Sequence, residues 1–215
     1  MIMKHKGILI VVSGFSGAGK GTLMKQMVRS YENYALSISM TTRDPRPGEA
    51  EGREYFFVSK EVFEDRISKD GLVEYASYCG NYYGTPREYV ERQLERGKDV
   101  ILEIEIQGAL KVKNKFPTAV LMFVMPPSAA ELKRRLEGRG TESQEVIDRR
   151  LKRACEEAEG IEQYDYIVIN DELEECVKEM HSLIQAAHYA PLRNKEFIEK
   201  MKNELRALQK ETAIK

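Results

Sequence analysis

An α/β fold, a parallel sheet covered by helices on both faces, is what this chain predicts, and three observations carry the prediction. Short apolar runs, among them ILIVV at 8–12, AVLMFVM at 119–125 and YIVI at 166–169, alternate with stretches whose apolar residues recur at helical spacing. Strands buried on both faces read as such continuous runs, and alternation with helices implies parallel pairing. The first run stops abruptly at a glycine-rich loop, GFSGAGKGT, which opens into a helix. Between about 35 and 93 the texture changes: most of the tyrosines and three of the prolines gather in short strand-and-turn segments, so a mixed, β-rich insertion interrupts the α/β pattern.

The elements follow in order. Ile8–Val12 reads as a buried strand, and Lys20–Tyr31 as a helix with Leu23, Met27 and Val28 on its inner side. Within the insertion, SISMTT, REYFFV, GLVEYASY and NYYG read as strands and turns, and only Lys60–Lys69 as a helix. The α/β pattern resumes with a helix over Arg87–Arg96, strands over Asp99–Ile106 and Ala119–Met125, and a helix over Ser128–Glu137 with Ser128 as N-cap. A helix restarting near Ser143, a strand over Tyr166–Ile169 and a helix over Leu173–Ala187 complete it. The tail, Arg193–Lys210, is a charged amphipathic helix with Phe197, Ile198, Met201, Leu205 and Leu208 on one face. Packing on the parent domain is its expected role, with self-association as the alternative, so the chain is a monomer or a homodimer.

Composition narrows the function. The 215 residues fit one domain with inserted subdomains. With 34 basic and 35 acidic side chains the net charge is −1, which argues against a general nucleic-acid or membrane-surface binder. Three scattered cysteines and three histidines form no metal-ligand spacing and point to a reducing, cytoplasmic setting. No apolar run approaches the roughly 20 residues of a spanning helix, and the N-terminal run reads as a strand rather than a signal peptide.

Four constellations carry chemistry. The glycine-rich loop is a phosphate-binding loop: Gly14, Gly17 and Gly19 let backbone N–H groups converge on one anion, the helix dipole adds positive potential, and Lys20 supplies a mobile charge. The sheet is therefore of P-loop NTPase type. Gly21 follows Lys20, so the hydroxyl usual at that place comes one residue later, at Thr22. In DVILEIEIQG the carboxylates of Glu103 and Glu105 fall at i and i+2 on one face of a strand expected to be buried, so they need cations or donors. Glu103 fits a role beside Mg²⁺, and Glu105 should face the acceptor. In TTRDPRPGEAEGREYFF, Arg43 and Arg46 flank a stiff proline and can fork onto one phosphate, with Tyr55 as a further donor. In LKRRLEGRGTESQEVIDRRLKRA, a glycine-broken run of arginines (Arg134, Arg135, Arg139, Arg149, Arg150 and Arg153) reads as a lid that brings cations onto phosphates.

Together these segments, with LVEYASYCGNYYGTP and VIND, resemble the guanylate kinase family from the loop to about Ala187. The resemblance implies a P-loop core at 1–34 and 94–189 with a lid at about 137–155, a GMP-binding insertion at 35–93 and a helical tail at 190–215. It implies transfer of phosphate from ATP, with Mg²⁺, to GMP, giving GDP for purine metabolism. It hands ATP to the loop residues Gly14, Phe15, Ser16, Gly17, Ala18, Gly19, Lys20, Gly21 and Thr22, and its adenine to Asn170. It hands the GMP phosphate to Arg43, Arg46, Tyr55 and Tyr83, and the guanine to Ser39, Glu74, Thr85 and Glu105. Lys20, Arg43, Arg135, Arg139 and Arg150 are the implied catalytic cations, and Thr22 and Glu103 the implied metal-side residues. Phe15 stands where many members have proline, and Glu103 and Glu105 where many have aspartate. Guanine's adjacent N1–H and 2-amino donors suit a carboxylate such as Glu74, whereas adenine would leave it unpaired. A phosphopeptide-binding module of related fold typically lacks the loop lysine and lid arginines that this chain keeps, and a kinase for another monophosphate is disfavoured by Glu74 and Thr85.

Overall fold

The computed structural model describes residues 6–138 and 143–213. In chain order the elements are β1 (Leu9–Gly14), α1 (Lys20–Ser30), β2 (Tyr34–Leu36), β3 (Ser39–Thr41), β4 (Tyr55–Phe57), α2 (Lys60–Ser68), β5 (Leu72–Tyr78), β6 (Asn81–Pro86), α3 (Arg87–Glu95), β7 (Asp99–Glu103), α4 (Ile106–Lys115), β8 (Val120–Met125), α5 (Ala129–Glu137), α6 (Gln144–Ala158), β9 (Tyr166–Ile169), α7 (Leu173–His188) and α8 (Lys195–Ala213). Five strands form a parallel sheet in the order β2-β7-β1-β8-β9. Four more, β4-β3-β6-β5, form a mixed sheet of their own.

Strand alternation sorts the core into two layers. Ile8, Ile10 and Val12 face α1 and α7, packing with Leu23, Met27, Met180 and Ile184. Leu9 and Val11 face the opposite way, with Val90 of α3 and Ala109 and Val112 of α4. Both faces of β1 are thus dry, as a central parallel strand requires. The mixed sheet has a smaller core: Phe63 of α2 is fully buried beside Met40 and Leu72, and stacks on Tyr82 with ring centroids 5.2 Å apart. At the end of the parallel sheet away from the loop, buried Asp99 accepts bonds from the Ile8 N–H at 2.8 Å and the Asn33 amide at 3.2 Å, and pairs with His188 Nε2 at 3.0 Å.

Three features depart from the sequence reading. The strand predicted over 99–106 ends at Glu103; Ile106 already begins α4, a helix that the sequence reading did not include. The alternation VILEIEI imitates a longer strand, but a parallel connection from β7 needs a crossover, and α4 supplies part of it. As a result Glu103 and Glu105 are both exposed, one at a strand end and the other as the N-cap of α4, and they are not a buried pair on one strand face. The residues 34–36 join the parallel sheet as its edge strand. Finally, the apolar face of α8 is largely open and not covered by the parent domain as expected: Phe197, Met201 and Leu205 are 46%, 42% and 58% exposed, and Ile198 is half-buried. No helix among the described residues is long and apolar enough to cross a membrane.

Candidate active site

The loop at the end of β1 is held by its surroundings. At Gly14 a side chain would place Cβ 2.1 Å from the Val124 carbonyl oxygen, so β8 runs against bare backbone there. Gly19, the N-cap of α1, has φ +86°, a left-handed turn that favours glycine, and a Cβ there would lie 2.5 Å from the Asn170 amide. That close approach is used: buried Asn170 donates its amide to the Ala18 carbonyl at 2.8 Å, bracing the loop from behind. Phe15 packs edge-on to Phe123 with centroids 5.1 Å apart, and also against the α5–α6 core. Ser13 donates to the Ile104 carbonyl at 2.7 Å, joining β1 to the end of β7. The Lys20 ammonium donates to the Gly14 and Phe15 carbonyls at 2.7 and 3.2 Å, which keeps it across the mouth of the loop.

In front of the loop lies a cavity of about 450 Å³. Gly14, Ser16 and Lys20 form one wall, and Arg149, Arg150, Arg153 and Glu157 of α6 form the other. A cavity between a backbone anion nest and three arginines is built for a polyanion. Arg135, on α5, donates to Glu131 at 2.6 Å; Glu131 also receives a bidentate bond from Arg134. These two arginines, Arg134 first, hold its carboxyl down at about 2. Arg139 lies outside the described residues.

A larger cavity of about 930 Å³ opens between the mixed sheet, the start of α4 and α6. The register of the mixed sheet lines it: Ser39 sits beside Tyr55 across β3 and β4, and Tyr83 is two residues from Thr85 on β6. The β5–β6 register shifts between Leu72 and Tyr75, and a bulge of this kind re-aims a side chain. Glu74 lies within that shift and accepts a 2.8 Å bond from the buried Thr85 hydroxyl. Burial pushes its carboxyl up, only partly countered by Thr85. Glu103 and Glu105 line the same space. The cavity therefore offers a half-buried acceptor carboxylate with a hydroxyl beside it, and phenols at one end.

At the rim, Arg43 lies over the Tyr55 ring, 5.6 Å from its centroid, and Nη2 is held by both oxygens of Glu49 at 2.9 Å. Glu49 also accepts the Arg46 N–H at 2.8 Å, which, together with Arg43, lowers its pKa. The side chain of Arg46 is exposed on the adjoining turn.

Comparison with known proteins agrees with this geometry. A family model described as guanylate kinase matches residues 6–187. A guanylate kinase of Oceanobacillus iheyensis is 52% identical over 187 residues, 87% of this chain and 91% of that protein. One from Caldanaerobacter subterraneus subsp. tengcongensis is 48% identical over 204 residues, covering 95% and 99%. The chain belongs to the guanylate kinase family. The crystal structure of guanylate kinase from Anaplasma phagocytophilum superposes with a TM-score of 0.66 at 33% identity, covering 88% of this chain and 90% of that one.

With that family in view, the structure brings several of the implied guanylate kinase residues to two adjoining cavities. Lys20 and Arg150 line the smaller; Ser39, Tyr55, Glu74, Tyr83, Glu103 and Glu105 line the larger, with Thr85 beneath Glu74. Thr22 is exposed on the first turn of α1. Asn170 lies behind the loop, and the bond its amide makes is to the loop itself. Three acidic residues escaped the sequence reading as site residues: Glu49 and Glu131, which orient arginines, and Glu157, whose side chain is 13% exposed and whose carboxyl is pushed up by burial. Glu131 and Glu157 were accessible from their helical spacing to Arg135 and Arg153, and Glu49 from the same loop segment.

Proposed function

We propose that these two cavities divide the family reaction between them, the loop-side cavity taking the ATP phosphates and the larger one taking GMP. The protein carries out ATP-dependent phosphorylation of GMP to GDP, the reaction of the family to which it belongs. The observation that carries the division is the position of Glu74, a half-buried acceptor bonded to Thr85 in a cavity that adjoins the phosphate loop. An ionised Glu74 accepts the guanine N1–H and 2-amino hydrogens, Ser39 supplies a hydroxyl for O6, Thr85 gives its one hydroxyl proton to Glu74 and holds that carboxylate at the base, and Glu105 faces the same base. Arg43, Arg46, Tyr55 and Tyr83 take the acceptor phosphate. Residues 35–93 are then the acceptor-binding insertion and about 137–155 the lid.

The chemistry is in-line. A GMP phosphate oxygen attacks the γ-phosphorus of ATP, a new O–P bond forms, the bond to the β,γ-bridging oxygen breaks, and ADP leaves with that electron pair. The attacking oxygen is already anionic, so no general base is needed. The obstacle is the approach of two polyanions, and Lys20, Arg43 and the arginines Arg135, Arg139 and Arg150 offset it. Gly14 to Thr22 bind the donor phosphates through loop N–H groups and the Thr22 hydroxyl, and Asn170 is assigned to the adenine side. Mg²⁺ fits as a passenger on ATP. Glu103, at the strand end beside β1, and Thr22 offer one carboxylate and one hydroxyl, the sparse donor set of a metal carried mainly by phosphates and water. When bound, the metal supplies neutralising charge to the phosphates. Cytoplasmic action in purine metabolism accords with the three free cysteines.

ADP formation with GMP, AMP, CMP or UMP as acceptor tests the assignment. Turnover with GMP at least a hundred times that with AMP is expected, on the order of the discrimination given by a carboxylate left unpaired. Comparable rates with AMP would remove Glu74 from its role.

A further inference from the structure

The guanidinium of Arg153 is shared between two carboxylates from different elements. Its Nη2 donates to Glu105 at 2.7 Å, and its Nε donates to Glu157 at 3.0 Å. Glu157 lies one turn further along α6, and Glu105 is the N-cap of α4. All three residues line both cavities, so the bridge crosses the passage between them.

Stability does not account for this bridge. The Arg153 and Glu105 side chains are 58% and 71% exposed, and exposed pairs contribute little. Glu105 also makes no capping bond to its own helix, although it occupies the N-cap position. Its carboxylate is instead held by the lid helix. Glu157, largely buried, fixes one edge of the guanidinium, leaving the other edge to reach outward to Glu105. A planar fork holds both partners in fixed directions, whereas the three donors of an ammonium rotate about one point. Arg149 and Arg150 stand four and three residues before Arg153, on the same side of α6.

We propose that Arg153 is a positioning residue: it aims Glu105 into the acceptor cavity and couples that carboxylate to the lid helix that carries the phosphate-facing Arg149 and Arg150. Seating GMP against Glu105 then favours the α6 position that grips the donor nucleotide. This inference rests on the reading that Glu105 faces the acceptor base.

Steady-state kinetics of Glu105→Gln, Arg153→Met, Arg153→Lys and the double variant Glu105→Gln/Arg153→Met, with calorimetric Kd values for ADP with and without GMP, test it. Arg153→Met should raise KM for GMP about fivefold, the upper range for an exposed pair, with a smaller rise in KM for ATP at saturating GMP, where the lost coupling shows. Arg153→Lys should fall between it and the unmodified protein. The double variant should be no worse than Glu105→Gln alone, because the two changes remove one interaction. GMP should tighten ADP binding in the unmodified protein, and less in Arg153→Met. An unchanged KM for GMP in Arg153→Met, additive effects in the double variant, equal rises in KM for both substrates, or no tightening by GMP in the unmodified protein would each overturn the proposal. If Glu105→Gln raises KM for GMP while Arg153→Met does not, the positioning role fails and the acceptor site stands. If Glu105→Gln itself has no effect on KM for GMP, the assignment of Glu105 to the base is what fails.

Discussion

Behind Gly14–Thr22 the loop is fastened by buried contacts: the Asn170 amide on Ala18, the Ser13 hydroxyl on Ile104, and Phe15 against Phe123. Away from the loop the cations are fastened by carboxylates nearer the surface, Arg43 by Glu49 and Arg153 by Glu105 across the cleft, and Arg135 by Glu131 on α5. The donor side is thus a fixed backbone nest, and the facing side is a set of movable charges with tethered rest positions. A fixed nest costs no reorganisation when phosphates arrive. An arginine oriented by a carboxylate keeps further donors for a second anion, which suits groups that must follow a substrate through closure and release.

Perturbing each side separately sharpens that contrast. Lys20→Ala strikes the nest. Turnover should fall on the order of a thousandfold, the loss typical of removing a transition-state donor, while the thermal melt stays near that of the unmodified protein. Asp99→Ala strikes neither side, since Asp99 sits at the far end of the sheet and accepts from Ile8, Asn33 and His188. It should cost about 2–4 kcal/mol by leaving buried donors unpaired, and lower Tm by roughly 5–12 °C. KM for both substrates should not move; a change in either would mean that the far end is coupled to the cleft. Glu49→Gln loosens one tether. It should raise KM for GMP about fivefold with kcat within twofold, because Arg43 keeps its charge and loses its orientation. A fall in kcat without a change in KM would place Arg43 on the transferred phosphoryl group instead.

The same contrast decides what could be read from the sequence. The nest is contiguous, and its glycines answer local backbone demands, so Gly14 to Thr22 was legible, as were β1, β8, β9 and the helices between them other than α4. Of the tethers, Arg153 to Glu105 is tertiary, whereas Arg43 to Glu49 and Arg135 to Glu131 lie within one segment. Glu157 pairs with Arg153 at helical spacing, but it faces the loop only because α6 packs across it. The strand end was misread for a physical reason: Glu103, Ile104, Glu105 and Ile106 continue the period of β7, yet the chain turns at Ile104 to start α4. Glu74 had no special local signal either; the register shift in β5 and the bond from Thr85 single it out. The tail helix was legible as a helix, but what its apolar face meets is not encoded in its period.

Glu74 also links function to stability. Burial raises its carboxyl above the ordinary value, so the folded state holds its proton more tightly than the unfolded chain. Stability attributable to this group is therefore greatest below its unfolded pKa and declines as pH rises through the folded pKa. Glu74→Gln should accordingly raise Tm at neutral pH, and this gain should disappear as the pH falls below the unfolded value.

The most direct test of the division between the two cavities is calorimetric titration of GMP and, separately, of ATP into Glu74→Gln at neutral pH. Affinity for GMP should drop on the order of tenfold to a hundredfold, the loss for hydrogen bonds to a charged acceptor, with ATP binding unchanged. Equal weakening of both nucleotides, or unaltered affinity for GMP, would contradict the assignment of the larger cavity to the acceptor.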